Sequence, residues 1–322
     1  MDRGDIFSEI RRRAKYVARE ASHVRIEEGR IPKYAASLPI DRIDELGFDP
    51  AYHYYGDEEA SAAYIVTLDS INFGSGHFPH LRKRPGRSGY MTIAASLADR
   101  FRREGPIPPE RLAEIDEMEC ALIFGQDLSD PTIAELMGLY ARALNDLGRD
   151  LIERFDGSFL GLIASADRSA GRLVEILSAQ PFFRDVARYR GMEVPFYKRA
   201  QILASDLSLA FDRSGPGRFD DIESLTIFAD NLVPHVLRID GILTYDAALA
   251  ERIEKGELIE AGSEEEVEIR ACAVHAVELI VAALREDGVR IGPRRIDLLL
   301  WNRGQSPAYK RPPRHRTRTV FY

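Results

Sequence analysis

The chain has 322 residues, 45% apolar and 30% charged, which is enough to bury a substantial core and too ordinary a balance for a disordered or fibrous protein. Its net charge of −8 speaks against a protein that grips a phosphodiester backbone, because that affinity comes from lysines and arginines displacing counterions. With only Cys120 and Cys272 to work with, neither a disulfide framework nor a thiolate metal site is indicated, and a reducing, cytoplasmic setting is expected.

The opening stretch MDRGDIFSEIRRRAKYV mixes acids and bases in a helical pattern and lacks the apolar run of a secretory leader. Helical spacing continues from Ile6 to Ile26, then recurs over Tyr90 to Phe101. The strongest signal is Pro131 to Phe155, where Ile133, Leu136, Met137, Tyr140, Leu144, Leu147, Leu151 and Phe155 return every three or four residues behind an Asp130–Pro131 start. Shorter helical runs follow at Leu173 to Leu177 and Ala200 to Phe211. The segment Glu265 to Arg285 is apolar nearly all round and reads as a buried helix. Its exceptions Glu268, His275 and Glu278 share a face, and Glu268, Arg270 and Glu278 are read as structural ion pairs, since a buried charge needs a partner. Ile296 to Trp301 fits either state, and the closing HRTRTVFY alternates as a short strand would. No segment reaches membrane-spanning length. With no linker, repeat or low-complexity tract, the expectation is one two-lobed helical domain over 1–322, mainly α with at most a small sheet.

Two segments draw attention for chemistry. In LTIFADNLVPHVLRIDG, Asp230 sits among apolar residues just before an expected helix start, where Pro234 falls in the first turn. It is placed to cap that helix, and capping is compatible with facing a positive charge that develops in a reaction. In VPFYKRAQILASDLSLAF, Lys198 opens a helical pattern beside Phe196, Tyr197, Ala200 and Ile202. His77 and His80 flank Pro79 with no glutamate-containing zinc motif, GSGH at 74–77 lacks the lysine of a phosphate loop, and no metal site is expected.

The order Lys198, Arg199, Ala200, then Asp230 ahead of His235, Val236, Leu237 and Arg238, resembles the helix-hairpin-helix DNA glycosylases, although no glycine-rich hairpin turn precedes Lys198. A resemblance over almost the whole chain is to the queuosine salvage family. It is carried by LDSINFGSGHF (68–78), SGY (88–90), FDGSFLGLI (155–163), VPFYKRAQIL (194–203), IESLTIFADNLVPHVL (222–237), EEVEIRACAVHAVELI (265–280), IDLLLW (296–301) and HRTRTVFY. After Phe-Ala-Asp the eukaryotic relatives continue Tyr-Arg where this chain has Asn231 and Leu232. They have Asn-Phe-Ser-Phe-Trp where it has Asn72, Phe73, Gly74, Ser75 and Gly76.

The resemblance implies a helix-hairpin-helix DNA-glycosylase-like helical fold and hydrolysis of queuosine 5′-monophosphate to free queuine, with Asp230 as the central carboxylate and no cofactor. Such a bond breaks through an oxocarbenium-like sugar, which carboxylates stabilise. A 7-deazapurine offers no protonatable N7, so catalysis leans on the sugar side and on hydrogen bonds to the base. Phe73, Tyr197 and Phe228 are candidate stacking platforms, worth roughly 1–3 kcal/mol per base. Asp69, Asn72 and Asn231 are candidate polar contacts. Lys198 leads as the 5′-phosphate partner, ahead of Arg199, Arg316 and Arg318. Partners are then the nucleotide and queuine, with no stable nucleic-acid complex and no membrane. The competing readings are a base-excision glycosylase of DNA or RNA, which needs a cationic groove, and a catalytically inert deazaguanine binder.

Overall fold

Helices form where apolar residues recur every three or four positions, and many begin on a side chain that accepts a free amide of the first turn. In the computed structural model, which describes residues 5–322, Asp57, Ser88, Asp116, Asp130, Ser158, Ser169, Asp246 and Ser263 all do this. Each such cap contributes about 1 kcal/mol. The fold is mainly α. Its named strands make two two-stranded antiparallel ribbons, Val24–Ile26 with Leu243–Tyr245 and Val186–Tyr189 with Met192–Pro195. No helix among the described residues is long and apolar enough to cross a membrane. The first four residues of the stretch read for a leader lie outside the described ones.

The chain divides into two compact units. One takes the chain up to Leu46 with Asp185–Gln201 and Asp221–Arg318; the other takes Gly47–Arg184, Ile202–Asp220 and Thr319–Tyr322.

In the first unit the helix Glu264–Glu286 is the axis, buried through Val267, Ile269, Ala273, Val277 and Ile280. The helix Ile6–Glu20 lays Phe7, Ile10, Ala14 and Val17 along it. That helix stops six residues short of the expected Ile26. Ala21 turns to extended backbone, and the Glu268 carboxylate takes the amides of Ser22, His23 and Val24 at 3.0, 2.6 and 3.1 Å. The Tyr189 hydroxyl donates to the same group at 2.8 Å. Four donors therefore satisfy Glu268, which forms no ion pair among the described residues, and this corrects the ion-pair reading. Arg270 pairs with Asp185 and Glu266, and Glu278 pairs with Arg11 at 2.9 Å.

Ile296–Trp301 resolves as helix, within Pro293–Arg303. The closing segment forms no ladder: its contact of this kind among the described residues is one isolated parallel bridge, Leu258 to Arg316.

In the second unit the helix Pro131–Phe155 buries the stripe expected of it, with Leu136, Met137, Tyr140, Leu147 and Leu151 fully enclosed. Pro109–Leu112 crosses it closely at Gly148, where a Cβ would lie 2.4 Å from the Ala113 nitrogen and 2.5 Å from the Pro109 oxygen. Asn145 holds the same crossing by donating to the Leu112 and Ile115 carbonyls, both at 2.9 Å. Glu58–Ser70 is buried on every side from Ala60 onward, Asp69 included.

Candidate active site

Residues 225–231 have no regular structure, so their buried backbone groups find partners outside any ladder. They find them one at a time. Arg11 donates to the Ser224 and Leu225 carbonyls at 2.8 and 3.3 Å. Gln201 accepts the Thr226 amide at 2.9 Å, while its own amide donates to the Thr226 hydroxyl at 2.9 Å and to the Phe196 carbonyl at 2.8 Å. Asp297 accepts the Phe228 amide at 2.8 Å, Arg270 donates to the Ala229 carbonyl at 2.9 Å, and the Asn231 side chain donates to the His315 carbonyl at 3.3 Å.

Asp230 is half-buried near the end of this stretch. Its Oδ1 accepts the amides of Leu232 and Val233 at 2.7 and 3.1 Å, at the start of the helix Leu232–Ile239. The amides and the helix dipole both favour a carboxylate there. Its Oδ2 makes no hydrogen bond among the described residues, so one oxygen fixes the group and the other is left for a reactant.

The field around it is shaped by buried charge. Burial, and then the charge of Asp230, push the Asp297 carboxyl well above the usual carboxylate range, against the Phe228 amide and Lys198. Two neighbouring acids in a poorly solvated place oppose each other's ionisation, and the upward shift falls on Asp297. Burial lowers Arg314 from its ordinary value and Asp230 opposes that shift. His315 is pushed down to about 3 by burial and by neighbouring cations, and stays neutral.

Lys198, 4% exposed, opens the helix Lys198–Ala210, and its amide donates to Asp185 at 3.1 Å. Asp185 also receives Arg270 through two bonds, at 3.0 and 2.6 Å. The Arg270 guanidinium lies 4.0 Å over the Phe196 ring. Between them Tyr197 is held at φ 47, a left-handed conformation that a non-glycine residue adopts at a cost of order 1–3 kcal/mol.

Tyr197, Lys198, Phe228, Asp230 and Asn231 thus belong to the first unit. Asp69, Asn72 and Phe73 belong to the second. There Asp69 is wholly buried and accepts the Asn72 side-chain amide at 3.1 Å. Phe73, 2% exposed, meets Tyr140 edge-on with ring centres 5.1 Å apart, and Tyr140 donates to its carbonyl at 2.9 Å. Burial followed by the charges of Asp206 and Asp69 raises the Tyr90 hydroxyl well above its ordinary value. Of the weaker phosphate candidates, Arg199 is 1% exposed, Arg316 donates to the Gly256 carbonyl and Arg318 is exposed.

Among the described residues, His23, Glu264 and Glu268 bring possible metal-ligating atoms within 4.8 Å of one another. Glu268 already takes its four donors, and His23 Nδ1 lies 2.6 Å from Asp246. Sequence reasoning missed Asp297, Arg314, Asp185, Gln201 and Asp206. The one signal available was an acid inside the apolar run IDLLLW.

The sequence profile described as queuosine salvage protein matches residues 52–322. A protein of Sphaerobacter thermophilus named queuosine 5′-phosphate N-glycosylase/hydrolase is 42% identical, the match covering 95% of each chain. Proteins of the same name from Dictyostelium discoideum and Bos taurus are 32% and 33% identical, each match covering 97% of this chain and 98% of theirs. With a profile match over most of the chain and relatives at this identity, the chain belongs to the queuosine salvage protein family.

Proposed function

We propose that this chain is a cytoplasmic hydrolase that cleaves the N-glycosidic bond of queuosine 5′-monophosphate and releases queuine for reuse in tRNA modification, without a metal or other cofactor. One observation carries the reading. Asp230 is anchored through Oδ1 by two amides, its Oδ2 makes no hydrogen bond among the described residues, and its charge helps push the Asp297 carboxyl toward the neutral form. A fixed carboxylate of this kind stabilises the oxocarbenium-like sugar as the bond to the base lengthens, and it needs no reorganisation to do so. The names of the relatives support the choice of substrate.

In this reading Lys198 meets the 5′-phosphate, and its charge is felt at Asp297. Phe228 and Tyr197 supply apolar surface for the base, and Asn231 supplies polar contact. Asp297 acts as a positioning residue through the Phe228 amide. The reaction asks for charge stabilisation at the sugar, which a carboxylate provides without a Lewis acid.

Purified protein treated with chelator is expected to release queuine from the nucleotide, followed by chromatography. Asp230→Asn keeps an acceptor for the two amides and removes the charge; release is expected to fall by at least about a hundredfold with binding retained. A variant that turns over at the parent rate removes Asp230 from the mechanism.

A further inference from the structure

The second unit has a cleft of about 430 Å³ that shares no residue with the site around Asp230. Its rim is cationic, built by Arg82, Lys83 and Arg84 from the loop before the helix Gly89–Glu104 and by Arg103 from that helix's last turn. On a chain of net charge −8 this is a local reversal of sign. Arg84 pairs with Asp99 at 2.8 Å and Arg103 with Glu104 at 3.4 Å, whereas Arg82 forms no ion pair among the described residues. An unpaired guanidinium at the mouth of a concavity is a ready partner for a phosphate.

Thr92 and Ser96 also line the cleft. Thr92 is committed, accepting the Arg84 amide at 3.1 Å and donating to the Ser88 carbonyl at 2.9 Å. Ser96 is 4% exposed and makes no side-chain hydrogen bond among the described residues. The opposite wall is apolar, with Leu122, 75% exposed, and Ile123. So large an apolar side chain left bare beside cations fits a ligand with two kinds of surface.

We propose that this cleft binds a small phosphate monoester, the phosphate on Arg82 and Arg103 and the organic part against Leu122 and Ile123. The volume decides between sources of the phosphate. It lies in the range of pockets that enclose a small organic ligand, roughly 300–1,000 Å³, and far exceeds what inorganic phosphate fills. Asp99 and Glu104 interrupt the positive charge, so no stripe exists for a polyanion to follow.

The test places a reporter in the wall. Leu122→Trp, at an exposed position, is titrated by fluorescence with guanosine 5′-monophosphate, guanosine and inorganic phosphate, and the parent protein titrated in parallel accounts for Trp301. A saturable response to the monophosphate is expected, with guanosine and inorganic phosphate each weaker by about tenfold or more. Adding Arg82→Glu and Arg103→Glu, or the milder Arg82→Gln, is expected to weaken the monophosphate while circular dichroism stays unchanged. No saturable response up to about 10 mM monophosphate, an equal response in the charge-reversed variant, or displacement by an oligonucleotide without a terminal phosphate overturns the proposal.

Discussion

Asp297→Asn removes a proton-binding group and almost nothing else. Asparagine keeps the oxygen that accepts the Phe228 amide at 2.8 Å, so residues 225–231 retain that tether. What changes is linkage to pH. Because burial and Asp230 hold the folded carboxyl well above the ordinary range, the folded protein keeps a proton that the unfolded chain has released. The folded state then binds more protons, and stability falls as pH rises from the ordinary carboxylate range toward the raised one, by about 1.4 kcal/mol per pH unit for a single group. The asparagine variant lacks that slope. Urea unfolding followed at Trp301, the sole tryptophan and part of the same helix, is expected to show the variant gaining on the parent by about 1 kcal/mol or more between pH 5 and pH 7. Asp297→Ala leaves the buried Phe228 amide without an acceptor and is expected to lose about 1–3 kcal/mol at either pH. A stability difference between asparagine variant and parent that does not change with pH would falsify the protonated Asp297 and the pairing with Asp230.

Lys198→Ala is expected to raise KM for the nucleotide about tenfold, near 1.4 kcal/mol, and to change the nucleoside less; equal losses in steady-state assays withdraw Lys198 from the phosphate. Gly148→Val forces a side chain into the Ala113 and Pro109 backbone and is expected to cost about 1–3 kcal/mol, read as a fall in thermal midpoint. Glu268→Gln turns an amide NH2 toward donors that need an acceptor. It is expected to cost about 3 kcal/mol and to speed hydrogen exchange at Ser22, His23 and Val24.

The long helices were legible because periodicity is a local property. Pro131–Phe155 and Glu264–Glu286 follow their apolar spacing to within a residue or so. The end of the first helix was not, because Glu268, 246 positions away from Ser22, takes the amides that would have continued it. Alternation in HRTRTVFY suggested a strand, yet a strand needs a neighbour, and the bridge at Arg316 is isolated. Asp230 could be picked out as an acid before a helix start. Its companion Asp297 lies 69 residues from the Phe228 amide it receives, and nothing in IDLLLW says which backbone that acid will meet. Arg270 was noticed as a charge in need of a partner, but Asp185 lies 85 residues away.

The short stretch carrying Asp230 is therefore built like a suspended bearing, with stays running to it from five separate places in the chain. A heptapeptide copied into another scaffold would keep its letters and lose its shape, since none of those stays travels with it. Substitutions remote in sequence, at Gln201, Arg270, Asp297 or Arg11, reach the reacting carboxylate through one anchored peptide each, so loss of turnover is expected to spread over many positions and remain severe at few.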